Sequence, residues 1–382
     1  MKKTVARPIL ILVIGLALSL AVVGSSFGGA VVEDSWVSKA PMREGRTGVG
    51  LAVVNGKIYA IGGANQDGFR ATNEEYDPGA NVWTFKAPMP TPRSAFGIAV
   101  YQNKIYCIGG YIPGGATGTT EVYDPARNTW ETEAPMPTPE LNLQANAVND
   151  RIYLIGGSPN GTLNQVYNPD KDAWSIAASA PIAVSSYASA VVNDKIYLMT
   201  SNHTQIYDTE NNSWTLGTPA PLPAILGSAA ATTGVNASKR IYLFGADADL
   251  PFWQLTTRKF TAQSYDPEND TWMVCTPLPT GRFDASVTVV GDQAYLVGGF
   301  TLEFPSDKLT LNAKYTYSES NDQYTPIGYG EPEPTPSEKP GSFATSAPDF
   351  VASQDMPVLA AAVATVVFTS GSLLVHFKKR HR

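Results

Sequence analysis

One short pattern returns six times along the chain: KIYAIGG at 57–63, KIYCIGG at 104–110, RIYLIGG at 151–157, KIYLMTS at 195–201, RIYLFGA at 240–246 and QAYLVGG at 293–299. Such recurrence constrains a fold more than length does, because a repeated unit that cannot bury its apolar face alone must stack on its neighbours. Each copy is followed by a tyrosine element: EEYDP, EVYDP, QVYNP, QIYDT, QSYDP and finally QYTP around Tyr324. In the first five copies a tryptophan stands seven residues beyond that tyrosine, at Trp83, Trp130, Trp174, Trp214 and Trp272. The sixth copy lacks this tryptophan element, but EDSWVSKAPM around Trp36 matches NVWTFKAPM and NTWETEAPM. The N-terminal strand is therefore expected to complete the last unit, tying the two ends together and removing exposed sheet edges.

Each position has a physical rationale. Alternating apolar residues in GVGLAVV, FGIAVY and YASAVV, closed by pairs such as Asn55-Gly56, mark hairpins from a first to a second strand. The glycine pair lets the backbone turn where side chains of adjacent units collide. Repeated tyrosine and tryptophan provide large plates for packing one twisted sheet on the next, so they are assigned to structure. A chain with 33 Gly, 29 Pro, 18 Tyr and 7 Trp suits many short strands and tight turns.

The order of apolar strand, Gly-Gly strand, Tyr-Asp strand and Trp strand resembles the kelch motif, over roughly residues 35 to 329. The tryptophan spacings of 47, 47, 44, 40 and 58 bracket the kelch period of about 50 residues. The Trp-Asp and Gly-His signatures of the similarly spaced WD40 repeat are missing. The resemblance implies an all-β fold, a six-bladed kelch-type β-propeller whose last blade is closed by the N-terminal strand, spanning residues 31–329.

The flanks read differently. Basic MKKTVARP, an apolar run from Ile9 to Val23 and small residues to Ala30 form a signal-peptide pattern over 1–30, either cleaved or retained. A Pro/Glu/Ser-rich linker is expected at 330–357. Val358 to Phe377 is long and apolar enough for a C-terminal transmembrane helix, with a basic cytoplasmic tail at 378–382. Together these predict a monomeric propeller displayed outside a cell as a single-pass membrane protein, with Asn-x-Ser/Thr sequons at Asn160, Asn202, Asn211, Asn236 and Asn269 available for glycans. Cys107 and Cys275 fall in strands of different repeats and are expected to be buried thiols.

A net charge of -7 gives no reason to expect nucleic-acid binding. Some kelch relatives resemble galactose oxidase, whose copper site uses two histidines; before the apolar C-terminal run this chain has only His203, so no metal or cofactor is expected. Zinc centres and Ser-His-Asp catalysis are equally short of parts. The resulting function is a cell-surface binding module for a protein or carbohydrate ligand at the loop face. The alternative is a carbohydrate-active enzyme resembling the sialic-acid mutarotases, which need only carboxylates and arginines.

One register position, where the fourth strand of a blade leads into the next, reads Arg46, Arg93, Glu140, Ser186, Leu226 and Arg282. Arg282, Arg46 and Arg93 fall in consecutive blades, and two roles are open to them: an arc that binds an anion at the channel mouth, or structural bonds to loop carbonyls. Long loops in blades 5 and 6 emerge on the same face, with Phe252 and Trp253 outside the repeat pattern and Glu303 near their base. Arg46, Arg93, Arg282, Glu140, Phe252, Trp253 and Glu303 are thus the candidate ligand-binding residues, and none is assigned a catalytic role.

Overall fold

The computed structural model describes residues 32–200, 202–222, 225–246, 260–303 and 314–330. They form six four-stranded antiparallel sheets, each built from one repeat. Blade 1 comprises Gly50–Val54, Lys57–Ile61, Asn73–Asp77 and Val82–Phe85, from the innermost strand outward. Blades 2 to 5 repeat the order, beginning with inner strands Gly97–Tyr101, Gln144–Val148, Ala188–Val192 and Ile225–Ala231. Blade 6 joins Ser286–Val290, Gln293–Val297 and Asn321–Thr325 to the N-terminal strand Ser35–Lys39, with Trp36 opposite Tyr324. Inner strands of neighbouring blades lie side by side all round, Ser286–Val290 next to Gly50–Val54 included.

The core lies between blades. Ala52, Val54, Tyr59 and Ile61 of blade 1, for example, pack with Phe96, Ile105, Cys107 and Tyr123 of blade 2. The repeated aromatics add a hydrogen-bonded latch to this apolar contact. Tyr76 donates to Asn81 (2.7 Å), Asn81 accepts the Ala40 N–H (2.8 Å), and Trp83 Nε1–H donates to the Ala40 carbonyl (2.8 Å). Ala40 follows the outer strand of blade 6, so the latch of each blade grips the chain leaving the preceding one. Blade 6 builds the same latch from both ends of the propeller: Tyr324 donates to Asp34 (2.7 Å), Asp34 accepts the Thr276 N–H (2.7 Å), and Trp36 donates to the Thr276 carbonyl (3.0 Å).

The glycine pair has a specific task at the blade seams. Gly62 and Gly63 have φ of 64° and 94°, a left-handed region costly for other residues. A Cβ on Gly62 would lie 2.7 Å from the Arg93 carbonyl, and Gly63 N–H donates to that same oxygen at 2.9 Å. Cys107 and Cys275 are both free and buried, and burial pushes the Cys107 thiol up to about 12.

One part of the expected architecture is corrected. The predicted C-terminal transmembrane helix, and with it the membrane as a partner and single-pass display at the cell surface, finds no support. The described residues contain strands and turns without a helix, and no helix among them is long and apolar enough to cross a membrane. Twenty apolar residues meet the length requirement of a span, but length and apolarity do not by themselves establish a helix. Residues 358–377, on which that reading rested, lie outside the described residues, as do the signal-peptide pattern of 1–30 and all but Gly330 of the linker at 330–357.

Candidate ligand site at the propeller axis

The strand 4 to strand 1 connections and the strand 2 to strand 3 loops share one face. Isolated bridges join them near the axis: Thr47 to Ala64, Ser94 to Tyr111, Leu141 to Ser158 and Phe283 to Phe300. The three arginines sit directly before Thr47, Ser94 and Phe283, so the sequence brings them to the same level in their blades.

All three guanidinium groups turn into their own blades. Arg46 has no solvent exposure; it donates to Gly62 O (2.6 Å), Thr72 O (3.0 Å) and Ala60 O (3.3 Å) and pairs with Glu74 at 2.8 Å. Arg93, equally buried, donates to Gly109 O (3.0 Å), Thr91 O (3.0 Å) and Cys107 O (2.8 Å) and pairs with Glu121. Arg282 pairs with Asp322 (2.7 Å) and donates to Leu296 O (2.8 Å). In this geometry the forks bind strand carbonyls and an acid from the third strand of the same blade. Desolvation outweighs the paired acids and draws the Arg46 and Arg282 pKa values down.

Blades 3 to 5 make the corresponding contact without a cation. Gln165 accepts from Thr138 N (2.9 Å) and donates to Thr138 O (3.0 Å); Gln205 does the same with Ile182 and Gln263 with Leu222. Glu140 occupies the arginine slot of blade 3, is fully buried, and accepts from Asn160 N–H at 3.1 Å, with burial raising its pKa. In blade 4 the slot belongs to Val184: Gly157 N–H donates to Val184 O as Gly63 donates to Arg93 O, so Ser186 lies two residues further on. Glu303 closes the short strand Phe300–Glu303 opposite Lys314. Phe252 and Trp253 lie outside the described residues; Arg46, Arg93, Arg282 and Glu140 each make these contacts within their own blades.

The structure brings together a different set. Two residues beyond the arginine slot stand Gly48, Ala95, Asn142, Ser186 and Asp284, all with φ between 53° and 58°. Their main chains link blade to blade: Ala95 N–H donates to Gly48 O (3.3 Å), Asn142 N–H to Ala95 O (2.9 Å) and Ser186 N–H to Asn142 O (3.1 Å). Between blades 6 and 1 a side chain takes over, for the Asp284 carboxylate accepts the Thr47 hydroxyl (2.5 Å) and the Gly48 N–H. Asp284 is half-buried as a residue, yet its carboxyl is closed in, and burial, only partly offset by these two donors, raises its pKa to about 6.

Phe283, the chain neighbour of Asp284, belongs to an aromatic group. Phe283 stacks on Phe300 with centroids 5.5 Å apart and meets Phe260 edge-on at 5.2 Å. Across the face, Phe69 and Tyr111 on adjacent blades meet edge-on at 5.2 Å. Outside that pair lies a shallow groove of about 490 Å³ lined by Phe69, Arg70, Phe85, Lys86 and Pro92 among others. Its two cations are engaged, Arg70 with Glu44 (2.5 Å) and Lys86 with Glu75 (3.2 Å). No cluster of three metal-ligating side chains occurs among the described residues.

Residues 45–90 and 92–137 match the family model described as the Kelch motif. The chain is 37% identical over 103 residues to the "Kelch-like protein terF" of Aspergillus terreus, an alignment covering 26% of this chain and 21% of that protein. The chain thus aligns with about a fifth of that relative's length. Among solved structures, the one titled "Structure of YjhT" superposes with a TM-score of 0.56 at 16% identity, covering 68% of this chain and 92% of that one, a likeness of fold alone.

Proposed function

This chain carries a kelch-repeat six-bladed β-propeller, and we propose that its loop face handles a carbohydrate at the axis, with Asp284 as the acid–base group. The observation that carries this reading is the Asp284 carboxyl, held by the Thr47 hydroxyl at 2.5 Å on the face where the connections of five blades share one left-handed position, with burial raising its pKa to about 6. Such a group exists in both protonation states near neutrality, which suits proton transfer in both directions. Interconversion of the anomers of a reducing sugar needs little more. The carboxylate takes the proton of the anomeric hydroxyl while the ring carbon–oxygen bond breaks towards the ring oxygen, which gains a proton from water. Rotation and the reverse steps give the other anomer.

The arginines serve this site indirectly, by holding Thr47, Ser94 and Phe283 where the connections meet. Phe252, Trp253 and Glu303 are proposed as ligand contacts on their place in the loops of blades 5 and 6. The second reading, a binding module for a protein or glycan, draws on the Phe69–Tyr111 pair, which both hairpins present on the loop face.

Exchange of anomer resonances by NMR, across reducing sugars that include sialic acid, tests the first reading. Asp284→Asn is expected to slow exchange about 100-fold or more, the usual scale of a lost general base. An unchanged rate in that variant rules out Asp284; sugar binding without anomer exchange by the intact protein favours the binding module. Stability should move the other way. A carboxyl whose pKa is raised on folding stabilises the fold fully below the ordinary carboxylate range, and that contribution is lost as pH rises through about 6. At pH 7 the Asp284→Asn protein is therefore expected to melt no lower than the native one.

A further inference from the structure

The seam between blades 6 and 1 differs from the three described ones that follow it. There, main-chain N–H groups meet main-chain carbonyls; here, the Asp284 carboxylate stands in the acceptor's place. It receives Gly48 N–H and, at 2.5 Å, the hydroxyl of Thr47, whose own backbone is fixed by two bonds to Ala64 (2.9 Å each). Ser286 Oγ donating to Val49 O at 2.6 Å ties the same two blades one step further in. Thr47 therefore cannot follow Asp284 if that side chain rotates.

We infer that Thr47 is the positioning residue for Asp284: its hydroxyl, carried on the neighbouring blade, fixes the orientation of the carboxyl and favours its ionised form. The inference rests on the reading of Asp284 as the acid–base group of the site. The charged groups on the elements meeting at this seam are neutralised within their own blades, Arg46 by Glu74, Arg282 by Asp322 and Glu44 by Arg70. Among the described residues, that leaves the two hydrogen bonds from blade 1 as the interactions that oppose the cost of burying the charge.

The test is a carboxyl-carbon NMR titration of the whole protein without sugar, with Asp284→Asn identifying the resonance. Thr47→Val is expected to raise the Asp284 midpoint by about one pH unit, a tenfold change in its ionisation equilibrium. Thr47→Ser, which keeps the hydroxyl, is expected to restore it to within a few tenths. Thr47→Ala serves the same purpose if the valine variant folds poorly. An unmoved midpoint in the variants lacking the hydroxyl overturns the inference, and so does an equal shift in the serine variant. Because no sugar is present, a midpoint that moves as expected alongside absent anomer exchange sinks the proposed activity and leaves the role of Thr47 standing.

Discussion

Replacing Glu121 with alanine is expected to destabilise the propeller by about 3–5 kcal/mol, the usual penalty for leaving a buried charge without its partner. Arg93 has no solvent exposure, and its three bonds to carbonyl oxygens do not replace the missing negative charge. Glu121 also accepts from the Thr91 hydroxyl at 2.6 Å, so the connection into blade 2 loosens as well. The fold itself supplies the control. Blade 4 performs the same task with Val184 and Gln205, whose amide bonds both backbone groups of Ile182 at 2.9 and 3.0 Å. The double variant Arg93→Val, Glu121→Gln copies that solution and is expected to recover most of the loss, since an apolar replacement for a buried ion pair is often neutral. Urea denaturation of the two proteins decides the matter. Equal stability of Glu121→Ala and the native protein would show that Arg93 finds another anion, and failure of the double variant would show that the two blade designs are not interchangeable.

That exchange was legible in the sequence, but only across two columns at once. Taken alone, Arg46, Arg93 and Arg282 invite a ligand. Taken with the residue of the third strand, they pair with Glu74, Glu121 and Asp322, whereas blades 3 to 5 carry Gln165, Gln205 and Gln263. An arginine in the slot with an acid on the third strand, or a glutamine on the third strand with no arginine in the slot, is the signature of a clasp internal to the blade. Ser186 falls in this column only when residues are counted forward from the preceding Ala-Pro. The connections into blades 2 and 4 are equally long, but Ala180-Pro181 stands two residues further from Trp174 than Ala87-Pro88 does from Trp83, and the main-chain bond from Gly157 to Val184 reveals the true slot.

The strand pattern, the glycine pairs and the closure were legible for a different reason: each depends on a local rule repeated in every blade. Tyrosine and tryptophan meet at 4.9 to 5.0 Å in all six, including Tyr324 with Trp36. Asp284 escaped notice because its column is chemically mixed, reading Gly48, Ala95, Asn142 and Ser186 in other blades. What those positions share is a left-handed backbone, which Gly, Asn and Asp adopt most readily and which Ala95 and Ser186 adopt here as well. The side chain that happens to be ionisable there is held by Thr47, more than 200 positions away in the chain, a partner that appears only when the ring closes.

Closure itself carries the last prediction. Trp36→Ala is expected to lower stability by about 3 kcal/mol, the low end for a buried aromatic because Trp36 is half-buried. It loses contact with Phe244 at 5.3 Å and Tyr324 at 5.0 Å, together with the bond to Thr276 O. The size of the effect does not by itself identify a closing strand, since Trp83→Ala, at a site 2% exposed, should cost as much or more. Location does. The outer strand of blade 1 is joined to its sheet by a tight turn, so losing Trp83 leaves it held in place by the chain. Ser35–Lys39 is joined to the other strands of blade 6 by hydrogen bonds and packing, because the chain that follows it runs into blade 1. Amide hydrogen exchange should therefore accelerate over 35–39 and 321–325 in Trp36→Ala while Gln144–Val148, across the ring, keeps its protection. Uniform acceleration in every blade would mean that the ring opens as one unit and that the N-terminal strand is no weaker than any other.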